Sequence, residues 1–244
     1  MFILNLLSKL ANSEVKVASR SQLYADPKGR SMVEMLGVLA IVGVLSVGAI
    51  AGYSKAMMKY KLNKHAESFS SFLNEAIKIY PDMRRHYGTA LGYKNISSLM
   101  DKLHNIPDGM TYNKHDNLIY DVFKNSYEIV YGVGTRSNGK TYIDYYITST
   151  LHRSSNKLTD RDREICRNAV IAAKENADNL YWIEVRSVTS SENYTYTNAA
   201  LYGDRYHNSN KNLRTASITQ IDEICNSCDS ERSCSIIIYI NIEN

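Results

Sequence analysis

Apolar residues in this chain follow two regimes, one before Pro81 and one after it. From Met35 to Ser54, twenty consecutive residues carry no charge and are rich in Val, Leu, Ile, Ala and Gly. About 20 such residues span a ~30 Å hydrocarbon core as a helix. A secretory signal core is shorter, about 7–15 residues, and leads into a small-residue cleavage site. Here the run continues into "YSKAMMKYKLNKHAESFSSFLNEAIKIY" with no proline before Pro81. Leu62, Ala66, Phe69, Leu73, Ala76 and Tyr80 recur there at steps of four and three, which marks one face of an α-helix. The spacing predicts one uninterrupted helix of roughly 50 residues, ~75 Å long at 1.5 Å per residue. Its first half, 30–54, is membrane-spanning and apolar all round from Met35 on, and its second half, 55–80, is amphipathic. A buried helix of a soluble domain has no need of so long an uncharged run.

Beyond Pro81 the pattern changes to that of a globular head over 81–244, long enough for one core. A short helix is expected from about Ile96 to His104, closed by Pro107, Asp108 and Gly109. "NLIYDVFKNSYEIVYGVG" and "KTYIDYYITSTLHR" read as two strands joined through Gly134–Gly139, with Ser137-Asn138-Gly139 as turn chemistry. In the second, Tyr142, Asp144, Tyr146 and Thr148 share one face, and Ile143, Tyr145, Ile147 and Ser149 the other. "LTDRDREICRNAVIAAKENA" is a helix with Thr159 as N-cap and Asp160 and Asp162 in its first turn. Leu180–Val188 is a third strand, 189–214 a polar surface loop, "SITQIDEIC" a short helix or turn, and "CSIIIYINI" a strand pairing inside the sheet. The expected fold is α+β: a long N-terminal helix packed on an antiparallel-sheet head.

Glu34 is out of place for a plain anchor. A carboxylate at the mouth of an apolar span either snorkels to water or has a functional partner. "KGRSMVEMLGVLAIVGVL" resembles the class III leader junction of type IV pilins and pseudopilins: a polar leader ending in Gly, then a glutamate as fifth mature residue, then an apolar helix. The resemblance implies that residues 1–29 are a leader removed between Gly29 and Arg30 by a membrane prepilin peptidase, which also methylates the new amine of Arg30. It further implies a homo-oligomeric helical filament in which Glu34 neutralises the amino terminus of a neighbouring subunit. Arg30 stands where the family usually has Phe, Met, Leu or Trp. The 29-residue leader and the absence of a proline between Arg30 and Tyr80 lean towards the type IVb branch and its conjugative pilins.

Charge and cysteines fit an exported subunit. The full chain carries +4, and removing residues 1–29 takes four basic and two acidic residues, leaving +2. No clustered basic face suggests a nucleic-acid partner. Lys55, Lys59, Lys61 and Lys64 balance the basic leader, so charge does not orient the span. The resemblance places the leader in the cytoplasm of a bacterial cell. The span then lies in the inner membrane before assembly, and the filament outside it or across the periplasm afterwards. "MFILNLL" is too short to insert. Cys166, Cys225, Cys228 and Cys234 form an even set, which favours disulfides in an exported domain and allows three pairings. We favour Cys166 with Cys234 and Cys225 with Cys228. A four-thiolate zinc site is the weaker alternative, since the chain has one CxxC and a solitary Cys166.

Catalytic signatures are missing from the sequence. The six histidines are scattered, with no HExxH pair, no GxSxG elbow and no Walker loop. "GVGTRSNGK" has the wrong spacing for a phosphate loop. Two glycosylation-type triplets, at Asn95 and Asn193, carry little meaning in a bacterial protein. Nineteen tyrosines against four phenylalanines indicate amphipathic rings placed at interfaces or packed in the sheet. The expected function is a filament subunit with no enzymatic chemistry, metal or cofactor, served by the peptidase and the inner-membrane assembly machinery. The rivals are a minor pilin or secretion pseudopilin, and a single-pass adhesin or receptor with an unprocessed anchor.

Overall fold

A computed structural model describes residues 32–151, 158–188, 194–195, 199–206, 211–227 and 234–243. The chain divides after Ala51 into two units. Helix α1 (Met32–Tyr87) is continuous over 56 residues. The pattern places its end at Pro81, but the structure carries it on to Tyr87. Pro81 lacks the N–H that would bond the carbonyl four residues back, a defect of ~3 kcal/mol in a helix interior. The next turn is held from the sheet side: Met83 is buried, the Tyr87 ring lies 5.5 Å from that of Tyr131, and the Tyr131 hydroxyl donates to Gly88 O at 2.6 Å. Gly88, at φ +57°, then ends the helix, its N–H bonding Arg84 O.

The head is one antiparallel sheet with helices against its inner face. Its strands are β1 (Gly92–Asn95), β2 (Thr111–Asn113), β3 (Leu118–Tyr120), β4 (Ser126–Thr135), β5 (Thr141–Thr150), β6 (Trp182–Val188), β7 (Tyr194–Thr195), β8 (Ala200–Tyr202) and β9 (Cys234–Glu243). The order is β2-β3-β4-β5-β9-β6-β7, with β1 also on β4 and β8 also on β6. Helix α2 is Ser97–Lys102, α3 is Asp160–Glu175 and α4 is Ile218–Asn226. The expected α+β class is what the structure has.

Buried positions on α1 recur with helical period: His65, Phe69, Phe72, Leu73, Ala76, Ile79 and Met83. They meet the inward residues of the central strands, such as Tyr127, Ile129, Tyr145, Ile147 and Ile238, in one core that also takes Ile165, Ala169 and Val170 of α3. β5 alternates as its pattern predicts, Ile143, Tyr145 and Ile147 being buried while Tyr142, Asp144 and Tyr146 are half-buried on the outer face. Two inner hydroxyls reach partners: Tyr145 donates to Ala76 O at 2.9 Å, and Tyr80 bonds the Asn241 amide. A bulge on β9 opposite Tyr145/Tyr146 keeps Asn241 inward and Tyr239 outward.

Several elements differ from the pattern's reading. The first expected strand is two, β3 and β4, folded back through Asp121–Asn125. β1 and β2 are too short to show a period. The expected 189–214 loop contributes β7 and β8, with Leu201 and Leu213 buried. At Gly203 the backbone of Leu180 lies so close that an added Cβ would sit 2.1 Å from its carbonyl oxygen. The hairpin turn after β4 closes as expected, with Gly139 at φ +78°. Thr159 caps α3 in a reciprocal pair with Asp162, and Ser217 caps α4 with Gln220.

The favoured cysteine pairing is overturned. Cys166 is bridged to Cys225, 59 residues on, with Cα atoms 5.7 Å apart. Helices α3 and α4 lie side by side, Arg167 Nε donating to Asp222 at 2.6 Å and Arg163 Nε to Asn226 at 3.0 Å. That packing turns both cysteines into the core between them. Cys234 is bridged as well, and Cys228 lies outside the described residues. Closing a loop of this length stabilises the fold by about 4 kcal/mol in the chain-entropy account. Cys166→Ser and Cys225→Ser should each lower stability by about that amount, and the double variant by no more, because one bond is lost in all three. Urea unfolding followed by the emission of the chain's single tryptophan checks this. Additive losses would contradict the pairing.

Candidate functional site

From Met32 to Tyr53 every residue of α1 is exposed, including Val44 at 75%, Leu45 at 67% and Ile50 at 66%. Among the described residues this is one helix long and apolar enough to cross a membrane. A helix is the form such a run can take in hydrocarbon, where backbone N–H and C=O groups have only each other as partners. Glu34 lies in the first turn, where the helix dipole favours a negative charge. At helical spacing it shares a face with Gly37, Val38 and Ile41.

Glycines 37, 43, 48 and 52 have nothing within 4 Å of where a Cβ would stand. Internal packing therefore gives no reason for them. Glycine on an apolar helix lets another helix approach closely, and Gly48 and Gly52 are four apart, the spacing of such contacts. Lys55, Lys59 and Lys61 follow on exposed positions. What this surface offers is association with apolar surroundings, with one acid near its start.

A second polar constellation lies past the uncharged run, in the core of the head. The Asp121 carboxylate accepts from the backbone N–H groups of Phe123 (2.7 Å) and Asn125 (3.0 Å), from the Asn125 amide (2.6 Å) and from the Tyr127 hydroxyl (2.9 Å). His65 Nε2 is 2.9 Å from the Tyr127 oxygen and 3.4 Å from Asp121 Oδ2. Since Tyr127 donates to Asp121, its oxygen accepts from Nε2–H. In the neutral ring this puts the proton on Nε2 and leaves Nδ1 a buried acceptor with no partner. Burial lowers the His65 pKa, with Asp121 partly opposing, and raises that of Tyr127 well above the ordinary phenol. The ring is enclosed by Phe69 and Phe123, so the cluster pins α1 to the β3–β4 turn.

Glu34 thus lies on the exposed apolar surface, while Gly29 and Arg30 lie outside the described residues. Cys166 is oxidised and has no thiolate for zinc, and among the described residues no group of three or more His, Cys, Asp or Glu could hold a metal. Sequence reasoning missed the His65–Asp121–Tyr127 cluster. The sequence signal for its turn was an Asp four residues before an Asn, and the structure closes that turn with Lys124 at φ +68°.

The cluster sets a pH dependence. Burial holds the folded His65 pKa below 6.5, the ordinary value near which it takes a proton in the unfolded chain. The unfolded state then binds more protons than the folded one, so stability should fall as pH drops below about 6.5. His65→Gln should flatten that decline between pH 7 and 5.5, as measured by urea unfolding at each pH. An unchanged slope would exclude His65 as its source. Compared with known proteins, the chain matches no protein-family model, no curated protein and no solved structure.

Proposed function

We propose that the chain is a type IV pilin-like structural subunit, cut between Gly29 and Arg30 by a prepilin peptidase and assembled through its apolar N-terminal helix into a helical surface filament. One observation carries the reading: an all-exposed apolar helix surface with a single acid in its first turn. A plain anchor accounts for the apolar surface but gives no reason for Glu34 or for four glycines that face open space. A bundle of such helices accounts for both. In this reading the span rests in the bacterial inner membrane before assembly, the leader is cytoplasmic, and the helices then pack in the filament core with the heads outside. The protein's work is association, with no bond chemistry of its own.

Cleavage leaves a free α-ammonium on Arg30, with Glu34 as the fifth mature residue. A carboxylate carried into a low-dielectric bundle is stable only with a cation beside it, and the Arg30 terminus of an adjacent subunit supplies one. Removing one member of such a pair costs about 3–5 kcal/mol, a hundredfold or more in an association constant. Glu34→Ala should therefore insert, fold and be cleaved as wild type, yet enter sheared filaments at about one hundredth of the wild-type level. Equal yield would make Glu34 a bystander.

Processing has its own test. The intact mass of the membrane form should correspond to a chain beginning at Arg30, with or without one methyl group. Gly29→Leu should block cleavage, because the peptidase must approach the backbone closely there, and full-length protein should accumulate. Normal maturation of that variant would remove the leader assignment and favour the unprocessed single-pass anchor.

A further inference from the structure

The outer face of the sheet carries a second hydrophobic cluster, separate from the core: Ile237, Tyr239 and Ile242 of β9 with Tyr146, Tyr181 and Trp182 packed on them. Beside it opens a groove of about 770 Å³, within the ~300–1,000 Å³ typical of small-molecule sites. Arg136, Tyr142, Asp144, Trp182, Tyr206 and Tyr239 line it. We propose that this groove binds a saccharide, with pyranose rings stacked on its aromatic wall and hydroxyls hydrogen-bonded by Asp144 and Arg136.

The wall is rigid because its rings hold one another. Trp182 lies 4.6 Å from Tyr239 and meets Tyr206 edge-on at 5.7 Å, and Tyr206 stacks on Tyr202 at 4.8 Å. Each ring rests on a neighbour, while Trp182 stays half-buried and Tyr206 is 42% exposed. Such a wall is preorganised, so a ligand does not have to order it on binding. At the β4–β5 end sit one acid and one base. The Arg136 guanidinium lies 5.6 Å over the Tyr142 ring, and Asp144 is half-buried in its field. Burial raises the Asp144 pKa, and Arg136 opposes the shift.

This chemistry separates the candidate ligands. A pyranose offers an apolar C–H face to the rings and a rim of hydroxyls that both donate and accept, matching a carboxylate beside a guanidinium. A peptide adding as a strand needs an unpaired sheet edge, and the groove is built from the faces of strands that are paired. Nucleic acid needs a basic excess, whereas Arg136 is balanced by Asp144. A quaternary ammonium has no hydroxyls to pair with Asp144 or Arg136, and the Arg136 guanidinium repels a second cation. None of this depends on whether the chain forms filaments.

Trp182 is the chain's single tryptophan, so its emission reports on the groove directly. The full chain in detergent is titrated with gluco-, galacto-, manno- and N-acetylglucosamine-configured oligosaccharides, with tetramethylammonium as a separate arm. At least one oligosaccharide should shift Trp182 emission saturably. Asp144→Asn should weaken that binding about tenfold, and Tyr206→Ala about fivefold. Thermal unfolding of each variant should match wild type, showing that the site and not the fold was altered. Failure of every saccharide to shift the emission, binding indifferent to both variants, or saturation by tetramethylammonium alone would each overturn the assignment.

Discussion

Phe69, Phe72, Leu73 and Ala76, all buried on one face of α1, are what the head is built around. Burying a Phe or Leu side chain is worth about 1.5–3 kcal/mol, and here that gain needs the inner face of the β4-β5-β9-β6 sheet to be in place. The same contact orders the polar groups. Tyr145 and Tyr127 reach inward as phenols, so each needs a partner, and the helix supplies Ala76 O to one and His65 to the other. A hydroxyl buried without a bond would cost ~1–3 kcal/mol, so these bonds fix the register between helix and sheet as firmly as the apolar contacts do.

How far the structure could be read in advance depended on segment length. The α1 face, the alternation in β5 and the α+β class come from periods sustained over ten residues or more, the Thr159 cap from residue type at a helix start, and each is present. β1, β2, β7 and β8 span two to four residues, too few for a period to declare itself. Pro81 misled for a different reason: a local rule ended the helix, and distant contacts from Tyr131 to Tyr87 and Gly88 kept it going. Among the site residues, Glu34 was visible because a charge interrupts an apolar pattern. The His65–Asp121 pair, 56 residues apart, was not. Nor was the cysteine pairing, which depends on how α3 and α4 pack and leaves no trace in spacing.

The tyrosines show how one residue type serves two environments. Tyr127, Tyr131 and Tyr145 are fully buried, and each directs its hydroxyl to a fixed acceptor. Tyr142, Tyr146 and Tyr181 lie half-buried on the outer face, while Tyr239 is more deeply packed there and takes a hydrogen bond from Arg186. Phenylalanine would fill the inner positions as well by volume, but it would leave Ala76 O and Gly88 O without those donors. The abundance of tyrosine over phenylalanine thus belongs to a single sheet that has a polar demand on both faces.

The position of β9 bears on how the protein is made. It lies between β5 and β6, bonded to both, yet it is synthesised after every other described strand. Until it emerges, β5 and β6 each present an unpaired edge, and the core lacks Ile236, Ile238 and Ile240. The head cannot therefore mature vector-wise from its beginning. The nascent polypeptide commits its apolar helix early and must keep a half-built sheet from aggregating until the keystone strand slides in. A ribosome that stalls before Cys234 yields a product with an open seam, which a chaperone or protease can distinguish from the finished molecule.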